Sequence, residues 1–369
     1  MNAKAGRVLI LCPYPRGMAG GQRFGFEQYL EALAGAGIGA DIQSFWDEGT
    51  FKVLYKPGHF LRKAAGVARG FARRLWAVIT VFRYDSVYIY LEAAPIGPPV
   101  FEFLLFALRR RVIYAFVDSI FIPRTSKVNR IVAPFRWRSK IAYIVRNSRE
   151  VIVCNRFLSD WAAQFNKNIS VIPDTVSTLD YKPSERQKFS GPRPVIGWIG
   201  SRSTAPYLEI VRGALRELQD KHPFEFRVIC DCDPKFDELR NYLFIHFDRN
   251  TEVEAINAFD IGLQPIPDDA WGSGKIGFKA IQYAALEIPS VVSSAACGAE
   301  VVKNGETGYV VGNTTGAWRD AMENLLTNPE QAIRFGKAAR AHIIENYSVE
   351  SQKEKYIRLL GGRLEAVGA

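Results

Sequence analysis

The sequence predicts an α/β protein built from two similar domains, each a doubly wound parallel sheet. Two observations favour this fold. Buried apolar runs alternate with helical patterns along the chain, and a polar, proline-containing stretch at 174–194 separates two such series. The 369 residues suffice for about two domains of ordinary size. Hydrophobic residues make up 48% of the chain, which excludes a disordered or fibrous protein.

The first series opens with the apolar run 7–12, which predicts a buried strand, then a loop rich in Pro and Gly at 13–21 and a helical pattern at 24–33. Buried strands are also predicted at 86–91, 111–116, 151–154 and 169–172. Helical patterns separate most of these strands, as expected for a parallel sheet.

The second series begins after the stretch at 174–194, which we interpret as a linker. It predicts strands at 195–199, 225–230, 261–265 and 290–293, a turn at 200–204, and helices at 207–221, 277–286 and 316–326. Ligands of such sheets bind outside the carboxyl ends of the strands. The loops that follow the strands are therefore where we expect the functional residues.

No apolar run approaches the ~20 residues that a membrane-spanning helix needs, and residues 1–7 do not resemble a signal peptide. The five scattered cysteines (12, 154, 230, 232 and 297) have no metal-ligand spacing, and their odd number argues against a disulfide framework. We therefore expect a cytoplasmic protein.

The net charge of +10 is distributed unevenly. Residues 1–150 contain 23 Lys and Arg against 10 Asp and Glu, whereas residues 151–369 contain 25 against 28. The first half thus carries all of the positive excess, which indicates an anionic partner such as a membrane, a phosphate group or a polymer.

The densest motif runs from Asp260 through the segment 271–275 to Pro289. A helix over 275–286 would place Lys275, Lys279 and Gln282 on one face. The preceding glycines, 272 and 274, would leave backbone N–H groups at the helix start, where the dipole favours an anion. This arrangement suits a diphosphate, and a solvated Lys face on an ordinary helix is the plainer alternative.

A second motif, 197–204, lies at the end of the first strand of the second series. Its Ser201, Arg202, Ser203 and Thr204 suit a phosphate, and a simple helix cap is the plainer alternative. A third, weaker motif spans 17–23 and lacks the GxGxxG spacing of a dinucleotide fold. There, glycines such as Gly20 and Gly21 would let a substrate approach the backbone and Arg23 would reach an anion, while a flexible loop is nearly as probable.

Taken together, these motifs resemble retaining GT-B glycosyltransferases of family 4. The resemblance is carried by four stretches, 197–208 (GWIGSRSTAPYL), 260–265 (DIGLQP), 274–284 (GKIGFKAIQYA) and 298–308. The N-terminal half agrees more loosely, at 20–23, 92–95, 117–121 and 154–158. The motifs narrow the resemblance to a branch typical of bacterial polysaccharide synthesis.

The resemblance implies a GT-B architecture with two Rossmann-like domains facing across a cleft. It implies an N-terminal acceptor and membrane-facing domain at 1–180, a nucleotide-sugar-binding domain at 190–345, and a C-terminal helix within 346–369 that crosses back to the first domain. The family's usual Glu-x7-Glu pair falls on Gly274 and Gln282, so neither glutamate is present. The branch's paired acidic residues are reduced to Val117-Asp118.

The mechanism implied by the family is a front-face displacement, in which the enzyme positions the substrates and stabilises the departing diphosphate. On that basis Lys275, Arg202 and Asp118 are the expected catalytic residues, and no metal or cofactor is required. The residues expected to bind the donor are Gly20, Gly21, Arg23, Ser201, Ser203, Thr204, Gly274, Lys279, Gln282, Gly298 and Glu300. Gln282 is assigned to the nucleoside.

The basic region 52–84 contains eight Lys and Arg and no acidic residue, interleaved with Phe, Leu and Trp. Residues 103–149 add eleven basic residues against Asp118 alone. A basic helix with an apolar side lies in a membrane interface. We therefore expect a protein peripheral to the inner face of a bacterial inner membrane, acting on a saccharide acceptor linked to polyprenyl diphosphate. A solvated basic face is the plainer alternative.

Other functions remain open from the sequence. A nucleic-acid binder would suit the sequence pI of 9.3, but no nucleic-acid-binding motif is present and the strongest motifs lie in the less basic half. A sugar-nucleotide epimerase or a phosphorylase would share the fold. A catalytically inactive partner subunit would suit the missing glutamates.

Overall fold

The computed structural model describes residues 6–108, 110–122, 137, 139–295 and 298–361. The chain forms two compact units, one comprising residues up to Asp174 together with those from Gln352 onward, the other Thr175–Ser351. Cys297, the basic residues within 123–136 and the end of the expected C-terminal segment, 362–369, lie outside the described residues. Among the described residues, no helix combines the length and apolarity needed to cross a bilayer.

The first unit contains a six-stranded parallel sheet in the order β2-β1-β3-β4-β5-β6. Its strands are β1 Gly6–Cys12, β2 Ile38–Ser44, β3 Ser86–Tyr90, β4 Val112–Phe116, β5 Glu150–Val153 and β6 Ile169–Val171. In the centre, Ile10 pairs with Ile42 of β2 on one side and Tyr88 of β3 on the other. Strands β3 and β4 are buried along their whole length, as the continuous apolar runs predicted.

The helices of the first unit connect these strands. They are α1 Gly20–Phe24, α2 Leu30–Gly35, α3 Glu48–Leu54, α4 Phe60–Thr80, α5 Val100–Ala107, α6 Lys140–Asn147 and α7 Arg156–Ala162. The single helix expected at 24–33 is thus interrupted, and a 3-10 turn at Glu27–Tyr29 precedes α2. The helix α15, Val349–Leu360, begins in the second unit and continues into the first.

The part of α15 that belongs to the first unit packs beneath the sheet. The Tyr356 ring stacks on Tyr29 at a centroid distance of 4.0 Å. The Ser86 hydroxyl donates to the Leu360 carbonyl at 3.2 Å, and the Arg111 guanidinium donates to the Leu359 carbonyl at 2.9 Å. These contacts make 352–361 an integral part of the first unit.

Helix α4 is packed in an unusual way, because its buried side is made of small residues. A Cβ at Gly66 would overlap the Thr50 side chain, and a Cβ at Gly70 would overlap the Phe45 ring. The helix therefore approaches α3 and the end of β2 closely, and several of its large apolar residues, among them Leu61, Trp76 and Ile79, are exposed. Arg74 is the exception, since its guanidinium is fully buried.

The second unit contains another six-stranded parallel sheet, in the order β12-β11-β10-β7-β8-β9. Its strands are β7 Val195–Ile199, β8 Glu225–Cys230, β9 Tyr242–His246, β10 Ile261–Gln264, β11 Ser290–Ser293 and β12 Gly308–Val311. Its helices are α8 Glu209–Gln219, α9 Glu252–Asn257, α10 Ala270–Ser273, α11 Phe278–Ala285, α12 Gly298–Val301, α13 Thr315–Thr327 and α14 Pro329–Asn346. A 3-10 turn, Ala205–Leu208, precedes α8.

Two glycines inside these strands make room for aromatic rings. A Cβ at Gly197 in β7 would overlap the Phe259 ring, and a Cβ at Gly262 in β10 would overlap the Tyr283 ring. The Tyr283 hydroxyl in turn accepts from the Ile199 N–H at 3.1 Å. Helix α11, which carries Tyr283, is thereby fixed close to the ends of β7 and β10.

The expected linker forms no helix or strand between Thr175 and Pro194, but it is fastened to the second unit by Asp260. This buried carboxylate accepts from the Arg186 guanidinium, the Phe189 N–H and the Val195 N–H, each at 2.8 Å. The Lys188 ammonium donates to the carbonyls of Asn257 and Phe259, and burial lowers the pKa of Lys188 to about 8. Residues 175–194 are thus packed against the rest of the second unit, and we call this segment the strap.

Candidate functional site

The turn after β7 brings together the hydroxyl residues of the 197–204 motif. The Ser201 carbonyl accepts from the N–H groups of Thr204 and Ala205, each at 2.8 Å, and the Thr204 hydroxyl accepts from the Ser201 N–H at 3.2 Å. The hydroxyls of Ser201 and Ser203 lie 2.9 Å apart. Both serines and Arg202 are exposed. The turn therefore presents hydroxyl groups and a cation to solvent at the carboxyl edge of the sheet.

Asp231, which sequence analysis missed, holds this turn in place. Its carboxylate accepts from the Arg202 N–H at 2.5 Å, and the residue directly follows β8. Its position at the end of a buried strand was the available signal. A charge-assisted bond of this kind fixes the backbone of Arg202 without using its guanidinium.

Trp198 links the turn to the lysines of the 271–289 motif. A Cβ at Gly200 would overlap the Trp198 ring and lie 2.9 Å from the Thr204 hydroxyl, so only glycine fits there. The Lys279 ammonium lies 5.5 Å from the centroid of the same ring. Thr204 and Lys279 are thus both adjacent to the buried indole of Trp198.

Lys279 is the most perturbed cation of this site. Burial and the neighbouring positive charge of Lys275 lower the pKa of Lys279 to about 8. The Lys275 ammonium lies 5.7 Å from the centroid of the Trp271 ring. Each lysine thus lies beside a different indole ring, and a bound anion would reduce the repulsion between the two ammonium groups.

The helix expected over 275–286 begins three residues later, at Phe278. Gly277 has a φ of +83°, a left-handed conformation, so the helix does not extend back to Lys275. The shared helical face predicted for the three residues therefore holds for Lys279 and Gln282, which are three positions apart in α11, and is wrong for Lys275. Lys275 approaches Lys279 because of the turn at Gly277 and not because of helical spacing.

The backbone N–H groups of residues 272–274 are also differently placed than expected. They belong to the short helix α10, where the Gly272 N–H donates to the Asp269 carboxylate at 2.6 Å. The N–H of Ser273 donates to the Asp269 carbonyl and that of Gly274 to the Trp271 carbonyl. The prediction that these groups face an anion is wrong, because each already donates within the segment.

Gly298 and Glu300 belong to α12, at the end of β11. The Cα of Gly298 lies 3.5 Å from where a Gly277 Cβ would be, so α12 begins beside the start of α11. Glu300 is exposed, and its carbonyl accepts from the Tyr347 hydroxyl at 2.8 Å. Gly298 therefore lies beside Gly277, the residue between Lys275 and α11.

Gln282 is buried, and its amide nitrogen is engaged on two sides. It donates to the Tyr181 hydroxyl and to the Glu252 carboxylate, each at 2.8 Å. Glu252, at the start of α9, is itself buried. The assignment of Gln282 to the nucleoside stays a prediction. Because the amide nitrogen already donates to Tyr181 and Glu252, the amide oxygen would make the contact with the nucleoside.

The residues predicted in the first unit form a separate group. Gly20, Gly21 and Arg23 lie in α1 rather than in a loop, and the Tyr90 hydroxyl donates to the Gly21 carbonyl at 2.7 Å. Asp118 follows β4, and its charge contributes, after burial, to raising the pKa of Tyr90. Tyr90 therefore interacts with both Gly21 and Asp118.

The loop after β3 is held by an exceptional number of side chains. Its carbonyls at Leu91, Ala93 and Ala94 accept from the Tyr114 hydroxyl, the Arg74 guanidinium and the Lys140 ammonium. Arg74 and Lys140 are both fully buried. Leu91 has a φ of +61°, a strained conformation for leucine that these bonds maintain.

Two carboxylates complete this loop. Glu102, buried in α5, accepts from the Ala93 N–H at 3.2 Å, and burial raises its pKa. Glu92 pairs with the Lys140 ammonium at 2.9 Å and keeps 23% of its side chain exposed. Sequence analysis noted the stretch 92–95 but gave Glu92 no role.

Cys230 and Cys232 come closer than the sequence suggested. Their sulfur atoms lie 3.9 Å apart, and with a carboxylate oxygen of Asp231 they form a group of ligand atoms within 4.8 Å of one another. Burial raises the pKa of the Cys230 thiol, which disfavours the thiolate that a metal ion would need.

Comparisons with known proteins give a family match for part of the chain and a structural match for the whole of it. Residues 193–328 match the family model described as Glycosyl transferases group 1. Comparison with curated protein sequences gives no match. The matched segment contains the turn at 200–204, both lysines and Gln282.

Solved structures resemble the whole chain at low identity. A glycosyltransferase from Rickettsia africae has a TM-score of 0.73 at 14% identity, covering 99% of this chain and 100% of its own. Sucrose-phosphate synthase from Thermosynechococcus elongatus has 0.70 at 15%, covering 96% and 98%. Anabaena HepE, solved in complex with UDP and glucose, has 0.68 at 14%, covering 97% and 100%. With its two six-stranded parallel sheets, the chain has the two-domain α/β GT-B fold.

Proposed function

We propose that this protein is a glycosyltransferase that moves a sugar from a nucleoside-diphosphate donor to a hydroxyl group of an acceptor. The observation that carries the proposal is the pair Lys275 and Lys279, two mutually repelling cations beside the rings of Trp271 and Trp198 in the segment that follows β10. A diphosphate would bring negative charge to both lysines and offset their mutual repulsion. The family match over 193–328 supports the same assignment.

The donor diphosphate would lie between the lysines and the 201–204 turn. Lys275, Lys279 and Arg202 would supply positive charge, and Ser201, Ser203 and Thr204 would donate hydrogen bonds. Gln282 would contact the ribose, and Gly274, Gly298 and Glu300 would lie towards the sugar. That HepE was solved with UDP supports a nucleotide-sugar donor.

We further propose that transfer retains the anomeric configuration and needs no metal ion. The acceptor oxygen would form its bond to the anomeric carbon as the bond from that carbon to the diphosphate oxygen breaks, and the acceptor proton would pass to the departing diphosphate. The protein then contributes positioning and charge stabilisation. In the first unit, Asp118, Arg23 and the glycines 20 and 21 would orient the acceptor or the transferred sugar.

The acceptor we propose is a saccharide linked to a lipid, with the protein peripheral to the inner face of a bacterial inner membrane. The outer side of α4 supports this proposal, because Leu61, Trp76 and Ile79 are 89%, 57% and 59% exposed. The residues 52–84 carry no acidic side chain, so their excess charge suits an anionic surface. Such transfer belongs to the assembly of cell-surface polysaccharides or glycoconjugates.

The proposal is tested with a panel of UDP-, GDP- and ADP-linked sugars incubated with the purified protein and an extract of bacterial lipids. We expect nucleotide release from one donor, and ¹H NMR of the glycosylated lipid should show the anomeric configuration of that donor. Binding of a nucleotide by calorimetry without any turnover would favour the inactive partner subunit. Failure to bind any nucleotide would overturn the proposal.

A further inference from the structure

Two cysteines lie at the carboxyl end of β8, with Asp231 between them. Cys230 is the last residue of the strand and is fully buried, whereas Cys232 is partly exposed. Their sulfur atoms are 3.9 Å apart. The sulfur atoms of a disulfide are ~2.05 Å apart, so a movement of about 2 Å would bring this pair to bonding distance.

Asp231 connects this cysteine pair to the turn after β7. One oxygen of its carboxylate accepts both from the Arg202 N–H at 2.5 Å and from the Cys230 thiol at 3.5 Å. The Gly200 N–H donates to the Ile229 carbonyl at 2.9 Å, so the end of β8 holds the turn at two points. Of these two bonds, the one to Asp231 lies between the cysteines and depends on their conformation.

The cysteine pair is also close to one of the two lysines of the candidate site. The pKa of Lys279, which burial and Lys275 lower, also responds to a charge on Cys230. Cys230 and Trp198 belong to one buried cluster of the second unit, and Cys232 packs against that cluster. A chemical change at the two sulfur atoms would therefore occur next to the residues that we expect to bind the donor.

Oxidation of this pair is balanced when a small-molecule disulfide is the oxidant. Cys232, the more exposed residue, loses its proton and attacks one sulfur of that disulfide, which releases a thiolate. Cys230 then loses its proton and attacks the sulfur of Cys232, which releases the second thiolate. The two protons convert the released thiolates to thiols. Two protein thiols are thereby oxidised to one disulfide, and one small disulfide is reduced to two thiols.

Formation of the disulfide changes the surroundings of Asp231. The Cys230 sulfur no longer carries the hydrogen that it donates to the carboxylate. The approach of the sulfur atoms also moves the peptide groups on both sides of Asp231, because this residue lies within the ring that the disulfide closes. N–H···O bonds in proteins are limited to about 2.7–3.2 Å, so a displacement of the carboxylate by ~1 Å breaks its bond to the Arg202 N–H.

We propose that Cys230 and Cys232 form a disulfide by exchange with a small-molecule disulfide, and that this disulfide releases the Arg202 N–H from Asp231. The consequence for the donor rests on the proposed function: the released turn would bind the donor diphosphate more weakly. The disulfide itself and the release of Arg202 are measurable without any nucleotide.

The first experiment incubates the purified full chain with glutathione disulfide, blocks the remaining thiols with N-ethylmaleimide and analyses the peptides by mass spectrometry. We expect the peptide that contains both cysteines to be unblocked and lighter by two hydrogen atoms than the dithiol form. Full blocking of both cysteines, or a stable glutathione adduct on Cys232, would overturn the proposal. Tight binding of Zn²⁺ by the reduced chain, lost in Cys232→Ser and without any disulfide, would assign the pair to a metal ion instead.

The second experiment measures hydrogen exchange of the Arg202 amide, localised to single residues by electron-transfer dissociation. The oxidised chain should exchange this hydrogen at least tenfold faster than the reduced chain, and dithiothreitol should restore the slow rate. Cys232→Ser treated with glutathione disulfide is the matched control and should keep the slow rate. Reduced Asp231→Ala should already exchange fast. An equal rate in the oxidised and reduced chains would show that the disulfide does not release the turn.

Calorimetry with UDP separates this inference from the proposed function. The reduced chain should bind UDP at least tenfold more tightly than the oxidised chain, and Cys232→Ser should bind equally well before and after oxidation. If neither form binds UDP while the disulfide and the faster exchange are present, the proposed function is wrong and the inference stands. Equal affinity of the two forms for UDP would overturn the consequence for the donor.

Discussion

The ammonium group of Lys279 lies 5.5 Å from the centre of the Trp198 ring, and the position of Gly200 leaves no space for a side chain beside that ring. Lys279 on α11 and Gly200 in the turn after β7 therefore both lie beside the indole ring of Trp198. This relationship brings the two motifs of the second unit close together although about 70 residues separate them in the chain.

Replacing Lys275 by alanine should lower glycosyl transfer about a hundredfold or more, because the departing diphosphate loses a fixed positive charge. The loss should appear mainly in kcat/KM for the nucleotide sugar. Lys337→Ala, on the exposed side of α14, is the control and should keep full activity. Near-normal turnover of the Lys275 variant would exclude this lysine from the site.

Nucleotide binding should depend on pH through Lys279, whose pKa is about 8 in the free protein. A bound diphosphate favours the charged lysine and raises its pKa, so binding takes up a proton. The UDP affinity should therefore be constant below about pH 8 and fall as the pH rises through that value. Calorimetry from about pH 7 to 10 measures this pH dependence. In Lys279→Gln, the fall in UDP affinity that begins near pH 8 should be absent.

Gly200→Ala should destabilise the protein by about 1–3 kcal/mol, since the new methyl group overlaps the Trp198 ring. The displaced indole should also weaken UDP binding. Urea denaturation and calorimetry measure the two effects. Gly312→Ala is a suitable control because the added methyl group would meet no atom within 4 Å.

Asp260→Asn should lower the free energy of unfolding by about 3 kcal/mol, because the buried carboxylate holds Arg186 and two backbone N–H groups. The strap at 175–194 should become accessible to proteases as a result. Limited proteolysis with N-terminal sequencing of the fragments would locate the cuts. The exposed Asp268→Asn should change neither stability nor digestion.

Association with vesicles containing phosphatidylglycerol should depend on the outer side of α4. Ile79→Ser should reduce the bound fraction in a flotation assay by about tenfold, since one large apolar side chain contributes about 1.5–3 kcal/mol when it leaves water. Ile344→Ser, which changes a comparably exposed isoleucine on α14, should float like the parent. If both variants bind equally well, α4 is not the docking surface.

The sequence predicted the central strands well because they are buried on both sides and form continuous apolar runs. The strands 225–230 and 290–293 begin and end where expected. Strands β9 and β12 were missed; both lie at sheet edges, and most of their residues are only partly buried.

In the site, the sequence identified the lysines but gave a wrong reason for their proximity. Helical periodicity cannot foresee that Gly277 adopts a left-handed conformation, which separates Lys275 from α11. Asp231 and Glu92 were missed because their roles depend on partners far along the chain, Arg202 and Lys140. Such pairs become visible only when the strands are in register.

The helix α15 joins the first unit only after the chain has traversed the whole second unit. A ribosome adds about 5–20 residues each second, so the stacking of Tyr29 on Tyr356 becomes possible only after the second unit has been synthesised. Until α15 has been synthesised, residues up to Asp174 lack part of the packing of their unit. We therefore expect them to depend on chaperones for longer than the second unit does.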